Sequence, residues 1–386
     1  MDFHELEFNQ FGCIRPLFHN QSHLTFILEA AIAGNSPMRI WVDESDYPQS
    51  CFMWDKMYCY YFIGEAENDA FNKKIIDHFN QAIIPQVVSN NYDVYKIEYS
   101  TKEWEPFLEI LLRERLPVKK ARIFMTLNKF IIKNWRKKLP KHFEIRKIDQ
   151  ELLENRTLNT KSIIEEIKGG WDSIESFLKI GFGYCCVVHL DNCRKEVQGW
   201  CIGEYFSKEY CGIGIKTFRG YQKKGVATAM ASVFVEHCLS KNIKPHWDSF
   251  VNNYASVRVA EKIGFKKIED FNVYFGSFSK SELYKGYYFY SEKNYKLAAK
   301  WFEKAAELDQ SETNSLYNAA CSWSLAGEVN KAFLQLNKAI DSLKKPSVKF
   351  INYIKNDKDL RALQSNENWV EILTRLNEIE SKIKSN

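Results

Sequence analysis

Residues 221–230, YQKKGVATAM, have the composition and the position of an anion site. They follow the strand-like run EYCGIGIKTF and begin the amphipathic run VATAMASVFVEHCLSKN, which is predicted to be a helix. The first N–H groups of a helix have no partner inside it, and the helix dipole adds positive charge there. Gly225 lets a phosphate approach these amides, and Thr228 can add a hydroxyl. Lys223 and Lys224 add long-range attraction, so the segment predicts main-chain binding of a pyrophosphate.

The spacing around Gly225 differs from that of two common nucleotide sites. A Walker loop needs GxxxxGK followed by Ser or Thr, and a dinucleotide-binding turn needs GxGxxG; this segment has neither pattern. A nucleotide hydrolase and a dinucleotide-dependent dehydrogenase are therefore disfavoured. The alternative interpretation of Gly225 is a plain strand-to-helix turn with no ligand.

Strand-like and helical runs alternate around this segment. In residues 139–278 the strand-like runs are GFGYCCVVHL, VQGWCIGEYF, EYCGIGIKTF, KPHWDSF and DFNVYF, and ASVRVAEKIGF is a second helical run. Residues 1–138 also have α/β character but contain no comparable glycine-rich strand-to-helix turn. We therefore expect two α/β domains, with a phosphate site only in the second.

A strongly basic connector, KNWRKKLPKHFEIRK, joins these two blocks. Its basic residues around Pro140 are Lys133, Arg136, Lys137, Lys138, Lys141, Arg146 and Lys147. Such a charge run is typical of a solvated linker, and contact with a ligand phosphate is the alternative.

The third block, residues 279–386, repeats itself. Residues of matching size recur 34 residues apart: Gly286 with Ala320, Phe289 with Trp323, Ala298 with Ala332, Phe302 with Leu336 and Ala305 with Ala339. This period resembles the tetratricopeptide repeat, a pair of antiparallel helices that stack on their neighbours. We expect an all-α domain that either binds a peptide in a groove or packs as a stabilising appendage.

Composition favours a globular protein of the reducing cytosol. The net charge of +5 arises from 54 basic and 49 acidic residues, which argues weakly for a nucleic-acid partner. Ten cysteines occur without a CxxC pair, so we expect no metal site and no disulfide framework. No apolar run approaches the roughly 20 residues of a membrane-spanning helix. These features predict a cytoplasmic protein without a membrane segment.

The order of the middle block resembles the GCN5-related N-acetyltransferases. Their motif of Gln or Arg, two residues, Gly, one residue, and Gly or Ala matches Gln222, Gly225 and Ala227. The strand PHWD and the helix SVRVAEKIGF look like those of the zwittermicin-A-resistance type within that superfamily. The resemblance covers about residues 35–275, so the first block is expected to be a degenerate copy of the same mixed α/β fold.

The resemblance implies acetyl-CoA as cofactor and an amine as acceptor. The pyrophosphate of acetyl-CoA would lie on the amides around Gly225. The pantetheine arm of acetyl-CoA would pair with the edge of the strand GIGIKT like an extra strand. The implied cofactor-binding residues are Ile213, Ile215, Thr217, Gln222, Lys223, Lys224, Gly225, Val226, Ala227, Thr228, Asn252, Asn253 and Ser256.

Acetyl transfer to an amine requires a base that takes a proton from the ammonium. Glu209 is the first candidate base, and Glu204 and Asp248 come behind it. His246 is a weaker candidate, because a histidine in KPHWD is expected to be hydrogen-bonded near the sheet edge.

Many relatives carry a tyrosine acid at the position of Ala260. Either Ser256 or Tyr254 takes that role here, or the thiolate leaves unaided, or catalysis is impaired. Two functions follow: an N-acetyltransferase acting on a small amine such as an aminated antibiotic, or a non-catalytic acyl-CoA-binding adaptor whose repeats bind a protein or peptide.

Overall fold

The computed structural model describes residues 3–18, 22–90, 93–132, 134–190, 194–218, 220–278, 281–308, 313–343 and 348–385. Lys133 of the basic connector lies outside these residues. The chain forms two compact units, one of Met1–Leu111 with Lys119–Phe275 and one of Leu112–Val118 with Gly276–Asn386. The boundary expected after residue 138 falls inside the first unit, and the one expected after residue 278 falls close to Gly276. The three-domain division, 1–138, 139–278 and 279–386, stays a prediction.

The strands of the described residues form one mixed sheet. They are β1 (His4–Glu5), β2 (Arg39–Val42), β3 (Ser50–Trp54), β4 (Cys59–Gly64), β5 (Val94–Tyr99), β6 (Val118–Leu127), β7 (Phe143–Lys147), β8 (Gly183–His189), β9 (Lys195–Glu204), β10 (Tyr210–Thr217), β11 (Lys244–Phe250) and β12 (Phe265–Ser277). Their order is β1-β2-β3-β4-β5-β12-β6-β11-β10-β9-β8-β7. Since β6 lies beside β11 and β12 beside β5, the two α/β blocks exchange strands at the centre of the sheet.

Helices accompany the sheet and then form the C-terminal region. The first unit holds α1 (Ser22–Ile32), α2 (Asp69–His78), α3 (Ile84–Ser89), α4 (Glu105–Leu112), α5 (Trp135–Lys138), α6 (Gln150–Glu154), α7 (Lys161–Gly170), α8 (Ile174–Ile180), α9 (Val226–Ser240) and α10 (Tyr254–Ile263). The C-terminal helices are α11 (Glu282–Ser291), α12 (Tyr295–Leu308), α13 (Thr313–Leu325), α14 (Val329–Asp341), α15 (Val348–Asn356), α16 (Arg361–Gln364) and α17 (Trp369–Ser385). These elements confirm the expected mixed α/β sheet and the helical C-terminal region, whereas the tetratricopeptide-like character of that region stays a prediction. Among the described helices, none combines the length and the apolar character needed to cross a bilayer.

Helix α9 is held against the sheet by apolar residues at helical spacing. Val226, Met230 and Phe234 recur every four residues and are fully buried. They belong to one core with Cys201 and Trp247 of the strands beneath. This packing fixes the first turn of α9 at the end of β10, where the sequence places the anion site.

Strands β10 and β11 diverge at the centre of the first unit. They pair in parallel from Tyr210 with Lys244 to Gly212 with His246, and no later pair joins them among the described residues. Beyond that point β11 continues to pair with β6, from His246 with Thr126 to Phe250 with Arg122. Strand β10 pairs with β9 up to Thr217. The divergence opens a cleft in an otherwise continuous sheet.

The helical unit contains a close contact that yields a stability prediction. A Cβ built on Gly286 of α11 would lie 2.5 Å from Cδ1 of Phe302, a ring that is buried at 1% exposure. We expect Gly286→Ala to lower the free energy of unfolding by about 1–3 kcal/mol, because the ring must shift to admit the methyl. Chemical denaturation measures the change. Gly170→Ala in α7 is the control, since a Cβ there meets nothing within 4 Å; equal effects of the two substitutions would show that the Phe302 contact is not tight.

Candidate active site

A cavity of about 280 Å³ lies where β10 and β11 diverge. Its lining combines residues from both α/β blocks: Phe26, Tyr58, Lys96, Glu98 and Arg122 from the first, and Glu204, Gly212, Ile213, His246 and Asp248 from the second. The N-terminal block therefore supplies one wall of the cavity. Sequence reasoning named none of these first-block residues, because no local motif marks them.

Glu204, at the end of β9, is the carboxylate whose environment is most altered. Burial raises its pKa to about 8, and the negative charges of Glu166 and Asp248 add to the effect. A hydrogen bond links its carboxyl group to that of Glu166 on α7, and burial raises the pKa of Glu166 as well. Its side chain lies over Gly214 of β10, where a Cβ would overlap Oε1. A carboxyl group whose pKa lies close to the working pH can both accept and release a proton under those conditions.

Glu209, the first candidate base from the sequence, lies at the protein surface. Its side chain is 68% exposed, and its carboxylate is 3.9 Å from Lys244 Nζ, which is 66% exposed. It does not line the cavity. The sheltered environment that a base requires therefore surrounds Glu204, which is half-buried and which the sequence placed second.

Two ion pairs cross the cavity wall. Lys96 Nζ lies 2.8 Å from Glu98 Oε1 within β5. Arg122 of β6 donates from Nε at 3.0 Å and from Nη2 at 2.6 Å to the same oxygen, Oδ2, of Asp248. Burial raises the pKa of Asp248, but Arg122 and Lys96 outweigh burial and hold it below the ordinary value, so Asp248 is an anion.

His246 occupies a different environment from the one expected. It lies in the interior strand β11 and stacks against the rings of Phe26 and Phe124, whose centroids are 5.4 and 5.2 Å away. Neither ring nitrogen has a hydrogen-bond partner among the described residues. Burial and the neighbouring charge of Lys244 lower its pKa to about 4. The expectation of a hydrogen-bonded histidine near the sheet edge was wrong, since aromatic stacking holds this ring in place.

The turn before α9 has the conformation of an anion site. Gly225 adopts φ +83° and precedes the helix, with no side chain capping it. The first helical bond runs from the amide of Ala229 to the carbonyl of Gly225 at 2.9 Å. The amides of Val226, Ala227 and Thr228 donate to no described residue. Within the part of the chain that the structure describes, these three N–H groups are therefore available to an anion, at the start of a helix of fifteen residues.

The side chains around this turn leave it open. Gln222 Nε2 donates to the carbonyl of Thr217 at 3.3 Å and thereby bridges the ends of the turn. Lys224 Nζ lies 4.9 Å from the ring centroid of Tyr221, and Lys223 is exposed with φ +62°. Both lysines can therefore attract an anion without first breaking a buried ion pair.

The corresponding turn of the N-terminal block has the opposite properties. Strands β4 and β5 pair in parallel over four consecutive residues, from Cys59 with Lys96 to Phe62 with Tyr99. The following helix α2 is capped by Asn68, whose Oδ1 accepts from Phe71 N at 3.2 Å. Glu65, Glu67 and Asp69 surround that cap. An anion is disfavoured there by acidic charge and by an occupied helix terminus.

The edge of β10 can accept an extended ligand. Ile213, Ile215 and Thr217 pair with β9 on one side, and no described pair joins them to β11 on the other. Thr217 Oγ1 is buried without a hydrogen-bond partner among the described residues. This edge leads from the cavity to the turn at Gly225.

The residues predicted at the start of α10 have mostly local roles. Asn253 caps the helix by accepting from Ser256 N at 3.3 Å, and Ser256 Oγ accepts from Trp247 Nε1 at 3.0 Å. Asn252 is exposed and Tyr254 is 71% exposed. Ala260, the position of the expected tyrosine, is fully buried in the core. None of these side chains lines the cavity.

Comparisons with known proteins agree with this architecture. The family model described as GNAT acetyltransferase matches residues 15–274. The uncharacterized N-acetyltransferase YdfB of Bacillus subtilis is 24% identical over 271 residues, which cover 70% of this chain and 97% of the relative. A GCN5-related N-acetyltransferase-like protein from Streptococcus suis has a crystal structure that matches with a TM-score of 0.50 at 20% identity, over 69% of this chain and 98% of that chain. A second matching structure, of a Drosophila protein, has a TM-score of 0.50 at 11% identity, over 72% of this chain and 98% of that one. At these identities the two structures show a common fold.

Proposed function

This chain belongs to the GNAT acetyltransferase family, and we propose that it transfers an acetyl group directly from acetyl-CoA to a primary amine of a small molecule. Family membership supports acyl transfer. The observation that carries the finer proposal is the cleft between β10 and β11, which joins a free helix terminus at Gly225 to a cavity containing Glu204.

Acetyl-CoA suits the two ends of this cleft. Its pyrophosphate would be held by the amides of Val226, Ala227 and Thr228, with Lys223 and Lys224 supplying attraction. Its pantetheine amides would pair with the open edge of β10 at Ile213 to Thr217. Asn252, Asn253 and Ser256 keep the cofactor roles that the resemblance implies as predictions.

In the proposed reaction Glu204 accepts a proton from the substrate ammonium. The free amine nitrogen then forms a bond to the thioester carbonyl carbon, and the bond from that carbon to sulfur breaks. The CoA thiolate leaves and takes up the proton that the attacking nitrogen loses as it becomes the amide, which is the second product. Glu166 favours the protonated form of Glu204, because its negative charge and its hydrogen bond both raise the pKa of that carboxyl group, and Glu204 therefore holds the proton it accepts.

The acceptor is proposed to be a small aminated compound such as an aminated antibiotic, in line with the resemblance to the zwittermicin-A-resistance type. A cavity of about 280 Å³ suits a small molecule and is closed on one side by the N-terminal block. A cytoplasmic location stays a prediction.

The C-terminal helices are proposed to include two tetratricopeptide-like repeats, α11 with α12 and α13 with α14. Small residues are buried at matching positions, such as Ala298 and Ala332, and Phe302 and Leu336 fill the matching large positions. Binding of a protein or peptide by this unit stays a prediction.

We expect acetyl-CoA to raise the unfolding midpoint of the purified full chain in a saturable way. At about 100 times its Kd the ligand stabilises the folded state by about 2.7 kcal/mol. Thermal unfolding with acetyl-CoA, CoA and ADP measures this effect, and release of free thiol over an amine library measures transfer. Stabilisation by ADP alone, or thiol release from no amine despite acetyl-CoA binding, would contradict the proposed function and favour the acyl-CoA-binding adaptor.

A further inference from the structure

Three carboxyl groups and two cationic groups line the cavity. Lys96 is paired with Glu98, and Arg122 is paired with Asp248. Glu204 has no cationic partner within hydrogen-bond distance among the described residues, and a second carboxyl group, Glu166, lies beside it. When Glu204 is ionised, as the proposed reaction requires, the lining carries one more negative than positive group and favours a ligand that brings positive charge.

Asp248 has one oxygen left for a ligand. Both Arg122 nitrogens contact Oδ2, and no described residue donates to Oδ1. The side chain of Asp248 lines the cavity and is 31% exposed, whereas the Glu98 side chain is 3% exposed and turned into its pair with Lys96. Asp248 is thus an anion held by Arg122 in the cavity lining, and its Oδ1 accepts from no described residue.

Apolar walls surround these two carboxylates. Phe26, Ile213 and Phe250 line the same cavity, and Tyr58 contributes a ring that is 38% exposed. Methylene groups between two charged ends would lie against these walls, and an ammonium group gains from an aromatic face as well.

We infer that the acceptor carries two ammonium groups, one delivered to Glu204 for acetylation and the other held by Asp248 Oδ1. This inference rests on the proposed N-acetyltransferase function and specifies its substrate class, a diamine. Acetylation converts one ammonium into a neutral amide with release of one proton to Glu204, while the second ammonium keeps its charge. The product then has only one cationic group, so a second acetylation is disfavoured.

The experiment compares cadaverine, pentylamine and aminovalerate, which share one chain length and end in an ammonium, a methyl and a carboxylate. With the full chain and acetyl-CoA, we expect kcat/KM for cadaverine to exceed that for pentylamine by about tenfold or more, mainly through KM. Mass spectrometry should show a single acetyl group on the product. Asp248→Asn keeps an oxygen for Arg122 and should bring the cadaverine to pentylamine ratio close to one. Glu98→Gln is the matched variant, which removes a covered carboxylate of the same cavity and should lower the ratio less.

The outcomes separate this inference from the proposed function. The assignment of Asp248 is overturned if kcat/KM for pentylamine or aminovalerate equals that for cadaverine. It is also overturned if Glu98→Gln lowers the cadaverine to pentylamine ratio as much as Asp248→Asn does. If no amine is acetylated, calorimetric titration of the acetyl-CoA-loaded protein with the three compounds tests whether the diamine site exists. A preference for cadaverine that Asp248→Asn removes would keep the diamine site while the transferase proposal fails, and absence of that preference would overturn the diamine site.

Discussion

Glu204→Gln is expected to lower kcat for acetyl transfer by about a hundredfold to ten-thousandfold, the usual contribution of a positioned general base. Glutamine keeps the size of the side chain over Gly214 but cannot accept the proton of an ammonium group. The Kd of acetyl-CoA should change little, because the free amides at the start of α9 are untouched. Steady-state kinetics with a saturating amine and calorimetry with acetyl-CoA separate these two effects.

The pH profile is the second readout of this substitution. Because burial and the charges of Glu166 and Asp248 raise the pKa of Glu204 to about 8, the base form is scarce at pH 6 and dominant above pH 8. Lys96 opposes that shift. We expect kcat/KM of the wild type to rise with pH through this range. The residual kcat/KM of Glu204→Gln should not show that rise.

Glu209→Gln is the matched control, since it makes the same change on an exposed strand end. If Glu209→Gln abolished transfer while Glu204→Gln left it intact, the first candidate from the sequence would be the base after all. If neither substitution lowered the rate of acetyl transfer, the base would be a group other than these two glutamates, such as a water relay.

The choice between these two glutamates shows where sequence reasoning ends. Glu204 lies near the end of one strand-like run and Glu209 begins the next, and both are compatible with a catalytic carboxylate. Their environments differ because Glu204 pairs with Gly212 inside the sheet, whereas the chain turns at Tyr205, with φ +46°, and exposes Glu209 before β10 begins. Register and turn geometry decide burial, and neither is encoded by the type of residue.

Local features were predicted well because their signal lies within a few residues. The turn at Gly225 and the helix after it depend on glycine conformation and on periodicity. The wall formed by Lys96 and Arg122 could not be predicted, because exchange of β6 and β12 between the two blocks brings distant segments together. The environment of His246 could not be predicted for the same reason, because the ring of Phe26 that stacks on it comes from a distant part of the sequence.

Gly225→Asp is expected to raise the Kd of acetyl-CoA by about tenfold or more. A carboxylate at this position would lie at the unoccupied amides of Val226 to Thr228 and would compete with the pyrophosphate for them. Calorimetry with acetyl-CoA measures the change in Kd, and the loss should weaken at high salt if charge repulsion dominates.

Backbone strain must be separated from this charge effect, because Gly225 has φ +83° and any side chain there costs about 1–2 kcal/mol. Gly225→Ala introduces the strain without the charge, so it should lower the unfolding midpoint and leave Kd nearly unchanged. Gly327→Asp repeats the charged substitution at φ +76°, in the helical unit and with nothing within 4 Å of the new Cβ. If all three variants bind acetyl-CoA alike, the turn is a structural one and the cofactor lies elsewhere. If only Gly225→Asp loses binding, the anion site at the start of α9 holds the pyrophosphate. Gly225→Ala would then show that strain alone does not weaken binding, and Gly327→Asp that an added charge elsewhere does not.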